Sequence, residues 1–111
     1  QESYAVYDQL TLEILLSRVS RASREEFLQK TAAGLTEEEL ELLAVYFEED
    51  MSLSGACARL FLHKNTLQYR LDRIGRKTGF NPRRFRDEAV LYLAVKLKNR
   101  PCPADGAGQN R

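Results

Sequence analysis

The chain has 111 residues, 43% of them hydrophobic and 30% charged, with three Pro, six Gly and no Trp. That suits one helical globule and argues against a sandwich or barrel; no apolar run approaches the ~20 residues that span a bilayer, and no signal-peptide pattern opens the chain. The net charge of +1 hides a split: residues 1–50 hold twelve carboxylates against four cations, −8, and residues 51–111 hold thirteen cations against four carboxylates, +9.

Punctuation along the chain is that of helices. The segment from Tyr7 to Ser20 carries Leu10, Leu12, Ile14, Leu15, Leu16 and Val19, too broadly apolar to lie free in water. Ser23 with Glu26 reads as a capping box that opens a helix ending near Gly34. Thr36 with Glu39 reads as a second box, with Glu37 and Glu38 at the positive helix end, and Leu40, Leu43, Ala44 and Phe47 then follow amphipathic spacing. Glu49, Asp50 and Met51 form a turn, and Ser52 or Ser54 caps a short helix that ends near Phe61. A longer helix starts near Lys64 and stops at Gly79. Asn81 and Pro82 are the cap and first residue of a last helix, about Pro82 to Lys98, apolar nearly all round in its middle and therefore buried centrally or in a subunit contact. After Pro101 a flexible tail is expected. Cys57 falls in a predicted core helix, buried and inert, and Cys102 in the tail, so a reduced cytosolic protein fits better than a disulfide. The chain opens on Gln1, which suggests a piece of a longer protein.

The charge split points to a polyanion partner for the second half; the alternatives are a dipolar solvated surface, or a dimer whose acidic and basic halves pair. The short helix, the three-residue turn and the helix from Lys64 together have the shape of a helix-turn-helix over about residues 53–78. Gly55, Ala56, Cys57 and Ala58 supply small residues for a close helix crossing, with Leu60 and Leu62 as anchors. Leu67, Leu71 and Ile74 share the buried face of the second helix, and Lys64, Asn65, Gln68, Asp72, Arg73 and Arg76 lie opposite, with Tyr69 and Arg70 on the flanks. Lys64 can donate to guanine, and Gln68, four residues on and facing the same way, can pair with adenine. Thr66, Tyr69, Arg70, Arg73 and Arg76 suit phosphates, joined by Arg83 and Arg84 beyond the turn.

Each residue also has a plainer reading. Asn65 either touches a base or bonds the turn backbone, Tyr69 either faces out or joins the core, and Arg70 meets a phosphate or an acid of the first half. Asp72 reads as an intrahelical partner of Arg76. Arg83, Arg84 and Arg86 are a phosphate grip or a solvated face. His63 is the single histidine, with no neighbour at metal-ligand spacing, so no metal is expected. No phosphate loop, dinucleotide fingerprint, zinc motif or nucleophile elbow occurs, and neither an enzyme nor a cofactor is expected.

The run His63, Lys64, Asn65, Thr66, Leu67, Tyr69, Arg70, Leu71 and Gly79 resembles the signature of the C-terminal DNA-binding domain of bacterial transcription regulators of the PucR/CdaR type. The likeness extends over about residues 7–98, with Lys64 and Gln68 where Arg is frequent and Cys57 where Ala is usual. It implies the output domain of a cytoplasmic transcription regulator, often an activator, with the effector bound by a region absent from this chain. The expected architecture is an all-α domain of five or six helices: residues 1–35 packing on the core, residues 36–98 the helix-turn-helix domain and residues 99–111 the tail. The expected function is sequence-specific binding of double-stranded DNA by a homodimer, with Lys64, Asn65 and Gln68 on bases. The rival is a helical interaction module whose basic half meets an acidic protein surface; neutralisation of Lys64, Arg73 and Arg76 by Glu37 to Glu49 would remove the electrostatic footprint of DNA binding.

Overall fold

The computed structural model describes residues 11–99. Within them lie six helical segments and no strand: α1, residues 11–17; α2, Arg21–Thr31; α3, Glu37–Glu48; α4, Leu53–Leu60; α5, Lys64–Thr78; and α6, Phe85–Asn99. The all-α expectation is met. The expectations for Tyr7, Leu10, Cys102 and the tail fall outside the described residues.

Most boundaries obey the local rules, and two do not. Thr36 and Glu39 form the expected reciprocal capping box of α3, Ser52 accepts from the Gly55 N–H to cap α4, and α5 ends on Gly79 at φ 82°, a left-handed position that glycine occupies without steric cost. The box expected at Ser23 is not formed. Ser20, in extended conformation, is the cap instead, and its Oγ accepts from the Ser23 N–H at 3.1 Å. Arg21–Glu25 and Lys30–Glu26 pairs at i, i+4 then brace α2 on its solvent side.

The last helix also starts later than expected, at Phe85 and not Pro82. Asn81 closes a local turn: its Oδ1 accepts from the Arg83 N–H at 2.9 Å and its carbonyl from the Arg84 N–H at 3.1 Å. Asp87 reaches back to the Asn81 N–H at 3.0 Å. Pro82 is thereby buried against α5, where a Cβ on Gly75 would stand 3.4 Å from the proline Cδ.

Leu43 of α3, Leu67, Leu71 and Ile74 of α5 and Leu91 of α6 are fully buried and form the centre of the core. Each such side chain contributes about 1.5–3 kcal/mol through burial. α3 is apolar more broadly than one stripe, because Leu42, Val45 and Tyr46 are also buried between neighbours. α6 buries Leu91, Ala94, Val95 and Leu97, and its Tyr92 meets Phe47 of α3 edge-on at 5.6 Å. α2 packs on α6, where Arg24 Nε donates to the Leu97 carbonyl at 3.0 Å. In α1 Leu16 is buried, while Ile14 and Leu15 are exposed. No described helix is long and apolar enough to cross a membrane.

Candidate nucleic-acid interface

α4, a turn and α5 make the helix-turn-helix. The C-cap of α4 is Phe61, left-handed at φ 57°, and the N–H groups of Phe61 and Leu62 both converge on the Cys57 carbonyl. A non-glycine residue there costs about 1–2 kcal/mol, which the packing of Leu60 and Leu62 against the core must offset. The Phe61 ring is 92% exposed. Of the four small residues expected at the crossing, Ala56 is fully buried, Gly55 and Cys57 are half-buried and Ala58 faces out. Cys57 is thus a half-buried free thiol packed against the edge of the core, not the fully buried residue expected. An eight-residue helix turns through little more than two turns, so one small residue suffices at the contact and its neighbours diverge from it.

α5 begins on His63, which is extended and makes no side-chain cap bond. Its first turn contains no acid, and Lys64 and Asn65 are exposed. The first-turn N–H groups therefore keep their donor capacity, and the helix dipole favours an anion there.

Around α5 the side chains sort into a floor, an outward stripe and two flanks. Leu67, Leu71 and Ile74 are the floor, as expected. Asn65, Tyr69, Asp72, Arg73 and Arg76 are exposed, whereas Gln68 and Arg70 are half-buried. Tyr69, expected on a flank, stands on the outward stripe at 58% exposure, with the Arg76 guanidinium 5.9 Å from its ring centroid. Asp72 does not partner Arg76. It pairs with Arg83 at 3.3 Å, and the same Arg83 Nη2 donates to the Gln68 carbonyl at 3.4 Å. The Asn81 turn folds back along α5 and delivers Arg83 to that flank, which leaves Arg76 for the tyrosine.

The opposite flank faces the acidic start of α3, across a depression lined by Thr66, Tyr69, Arg70 and Arg73 on one side and Thr36, Glu38 and Glu39 on the other. Arg70 pairs with Glu38 at 3.5 Å, and Lys77 Nζ with Glu39 at 2.6 Å. Partial burial alone would raise the Glu39 pKa, but hydrogen bonds from Lys77 and the Thr36 N–H, with the charges of Lys77 and Arg73, hold it below the ordinary value. The Lys77–Glu39 tie had no sequence signal, because Glu39 was already accounted for by its cap. Among the described residues Lys64, Arg73, Arg76 and Arg84 form no ion pair; the acids of α3 take Arg70, Lys77 and Arg59 instead.

Comparison with known proteins agrees with this geometry. The family model of the PucR C-terminal helix-turn-helix domain matches residues 40–97. The carbohydrate diacid regulator of Escherichia coli is 40% identical over 55 residues, 50% of this chain and 14% of that protein. An uncharacterised protein of Haemophilus influenzae is 33% identical over 98 residues, 85% of this chain and 27% of its own length. The uncharacterised protein YsfB of Bacillus subtilis is 29% identical over 90 residues, 79% of this chain and 24% of its own length. The chain therefore spans about a quarter or less of these relatives. No solved structure matches it. From its buried leucine floor to its glycine stop, this helix-turn-helix and the chain that carries it belong to the PucR C-terminal helix-turn-helix domain family.

Proposed function

We propose that the protein binds double-stranded DNA at specific sequences, as the output module of a cytoplasmic transcription regulator, with α5 in the major groove. The observation that carries this reading is the pairing of an unsealed α5 N-terminus with Lys64, Arg73 and Arg76, exposed cations that the chain's own carboxylates leave unpaired among the described residues. Similarity to a carbohydrate diacid regulator supports the regulatory role. In this reading Lys64, Asn65 and Gln68 contact bases, while Thr66, Arg70, Arg73, Arg76, Arg83 and Arg84 approach phosphates. Arg70 and Arg83 are already paired, to Glu38 and Asp72. They meet DNA only by exchanging those carboxylates for phosphates, which makes them the weakest of the set. The protein acts as a homodimer on half-sites one helical turn, ~34 Å, apart, and its effector is bound by a region outside this chain.

Selection from a pool of source-genome fragments at roughly 150 mM salt, where nonspecific contacts are suppressed, tests the reading. Enrichment of one roughly palindromic site is the expected result. If the folded protein enriched no sequence, alone or joined to the rest of the regulator, the basic half would be assigned to a protein partner instead.

A further inference from the structure

Tyr69 is the one exposed large hydrophobic side chain of α5, 58% exposed in the middle of a face otherwise polar or charged. Asn65, Tyr69 and Arg76 recur at four- and seven-residue intervals, so they stand in one line opposite Leu67, Leu71 and Ile74. On a helix laid in a groove, the N-terminal part of the outward face meets base edges, and the later turns and outer flanks approach the two sugar–phosphate walls. The flanks of α5 are identified by their neighbours: Thr66 and Arg70 toward α3, Gln68 beneath the Arg83 turn. Tyr69 stands between them, at the exposed edge of the α3-facing depression. Its hydroxyl has no hydrogen-bond partner among the described residues, and the Arg76 guanidinium 5.9 Å from the ring centroid restrains the ring rather than the hydroxyl. The side chain so held out offers an apolar ring edge beside an unpartnered hydroxyl.

A major groove offers one apolar feature to such a ring, the 5-methyl group of thymine. We infer that Tyr69 is a specificity-determining residue whose ring packs on a thymine methyl, and not a phosphate ligand acting through its hydroxyl. The inference rests on the DNA-binding reading above. Asn65 and Tyr69 are four residues apart, ~6 Å along the helix, and base pairs rise ~3.4 Å. The thymine therefore lies one or two base pairs from the base that Asn65 meets.

The test uses the enriched site with each thymine replaced singly by deoxyuridine, which removes the methyl and keeps every hydrogen-bonding group. Binding is measured for the wild-type chain, Tyr69→Phe and Tyr69→Ala, each checked for helical content and cooperative melting. The expected result is one thymine per half-site whose replacement weakens the wild-type chain roughly fourfold, the factor for one buried methyl. Tyr69→Phe keeps that sensitivity, and Tyr69→Ala binds the thymine and deoxyuridine sites alike. The inference is overturned if no replacement weakens the wild-type chain, if Tyr69→Ala stays sensitive, or if Tyr69→Phe loses as much affinity as Tyr69→Ala, the mark of a hydroxyl–phosphate bond. A wild-type chain that enriches no site at all would instead remove the DNA-binding reading itself.

Discussion

α3 and α5 pack into the same core and begin in opposite ways. At α3 the Thr36–Glu39 box satisfies backbone donors in both directions, and three glutamates fill the first turn. At α5 His63 leaves the first turn uncapped, that turn contains no acid of its own, and Lys64 stands at the first position. A cap is typically worth about 1 kcal/mol, so the open end of α5 forgoes stability that a single Ser or Asp at position 63 would supply. The difference separates two uses of a helix N-terminus. One is sealed by the protein's own oxygens; the other leaves its donors and its positive dipole end open, as the proposed function requires.

The largest effect should come from the floor the two helices share. Leu71→Ala empties a fully buried position and is expected to cost about 2–5 kcal/mol in urea unfolding, with DNA binding lost only as far as the chain unfolds. Lys64→Ala should cost about 1–3 kcal/mol of affinity for the enriched site and leave the melting temperature unchanged. A drop in stability with affinity intact would make α5's start a folding element after all.

The sharpest test exchanges the two ends. Thr36→Ala should remove about 1 kcal/mol of stability and leave DNA affinity as it was. His63→Asp should do the reverse: it adds a cap, raises stability by a similar amount, about 1 kcal/mol, and weakens binding by placing a carboxylate where a phosphate is expected. Equal affinity for His63→Asp and the wild-type chain would break the comparison.

The smallest effect is in pH. The Glu39 pKa is held below its ordinary 4.5 in the folded chain, so the folded state binds fewer protons there than the unfolded state. Its contribution is complete above pH 4.5 and is lost as pH falls through the lower, folded value. Acid unfolding of Glu39→Gln should lack that component, and an unchanged acid transition would show that the Lys77 tie carries no linkage.

Much of this was legible in the chain because it rests on contacts within one turn of helix. The Thr36–Glu39 box, the Ser52 cap, the start at Lys64, the stop at Gly79 and the Leu67–Leu71–Ile74 stripe all follow from spacings of three or four residues. Local rules failed where two local solutions competed. Ser20 and Ser23 are both acceptable caps, and the folded chain uses Ser20. Asn81 can cap a helix or close its own turn, and burial of Pro82 against Gly75 favoured the turn.

The sequence by itself determined the helices, the motif and the family, since helix periodicity, caps and a short signature are all encoded within a few residues of one another. Only the tertiary structure decided which charges remain for a partner. Glu38 lies 32 residues from Arg70, Glu39 38 residues from Lys77 and Asp72 11 from Arg83, and no periodicity relates them. The packing of α3 and of the Asn81 turn against α5 brings these carboxylates and cations together. What it leaves uncovered, Lys64, Tyr69, Arg73 and Arg76, is the face on which the proposed function depends.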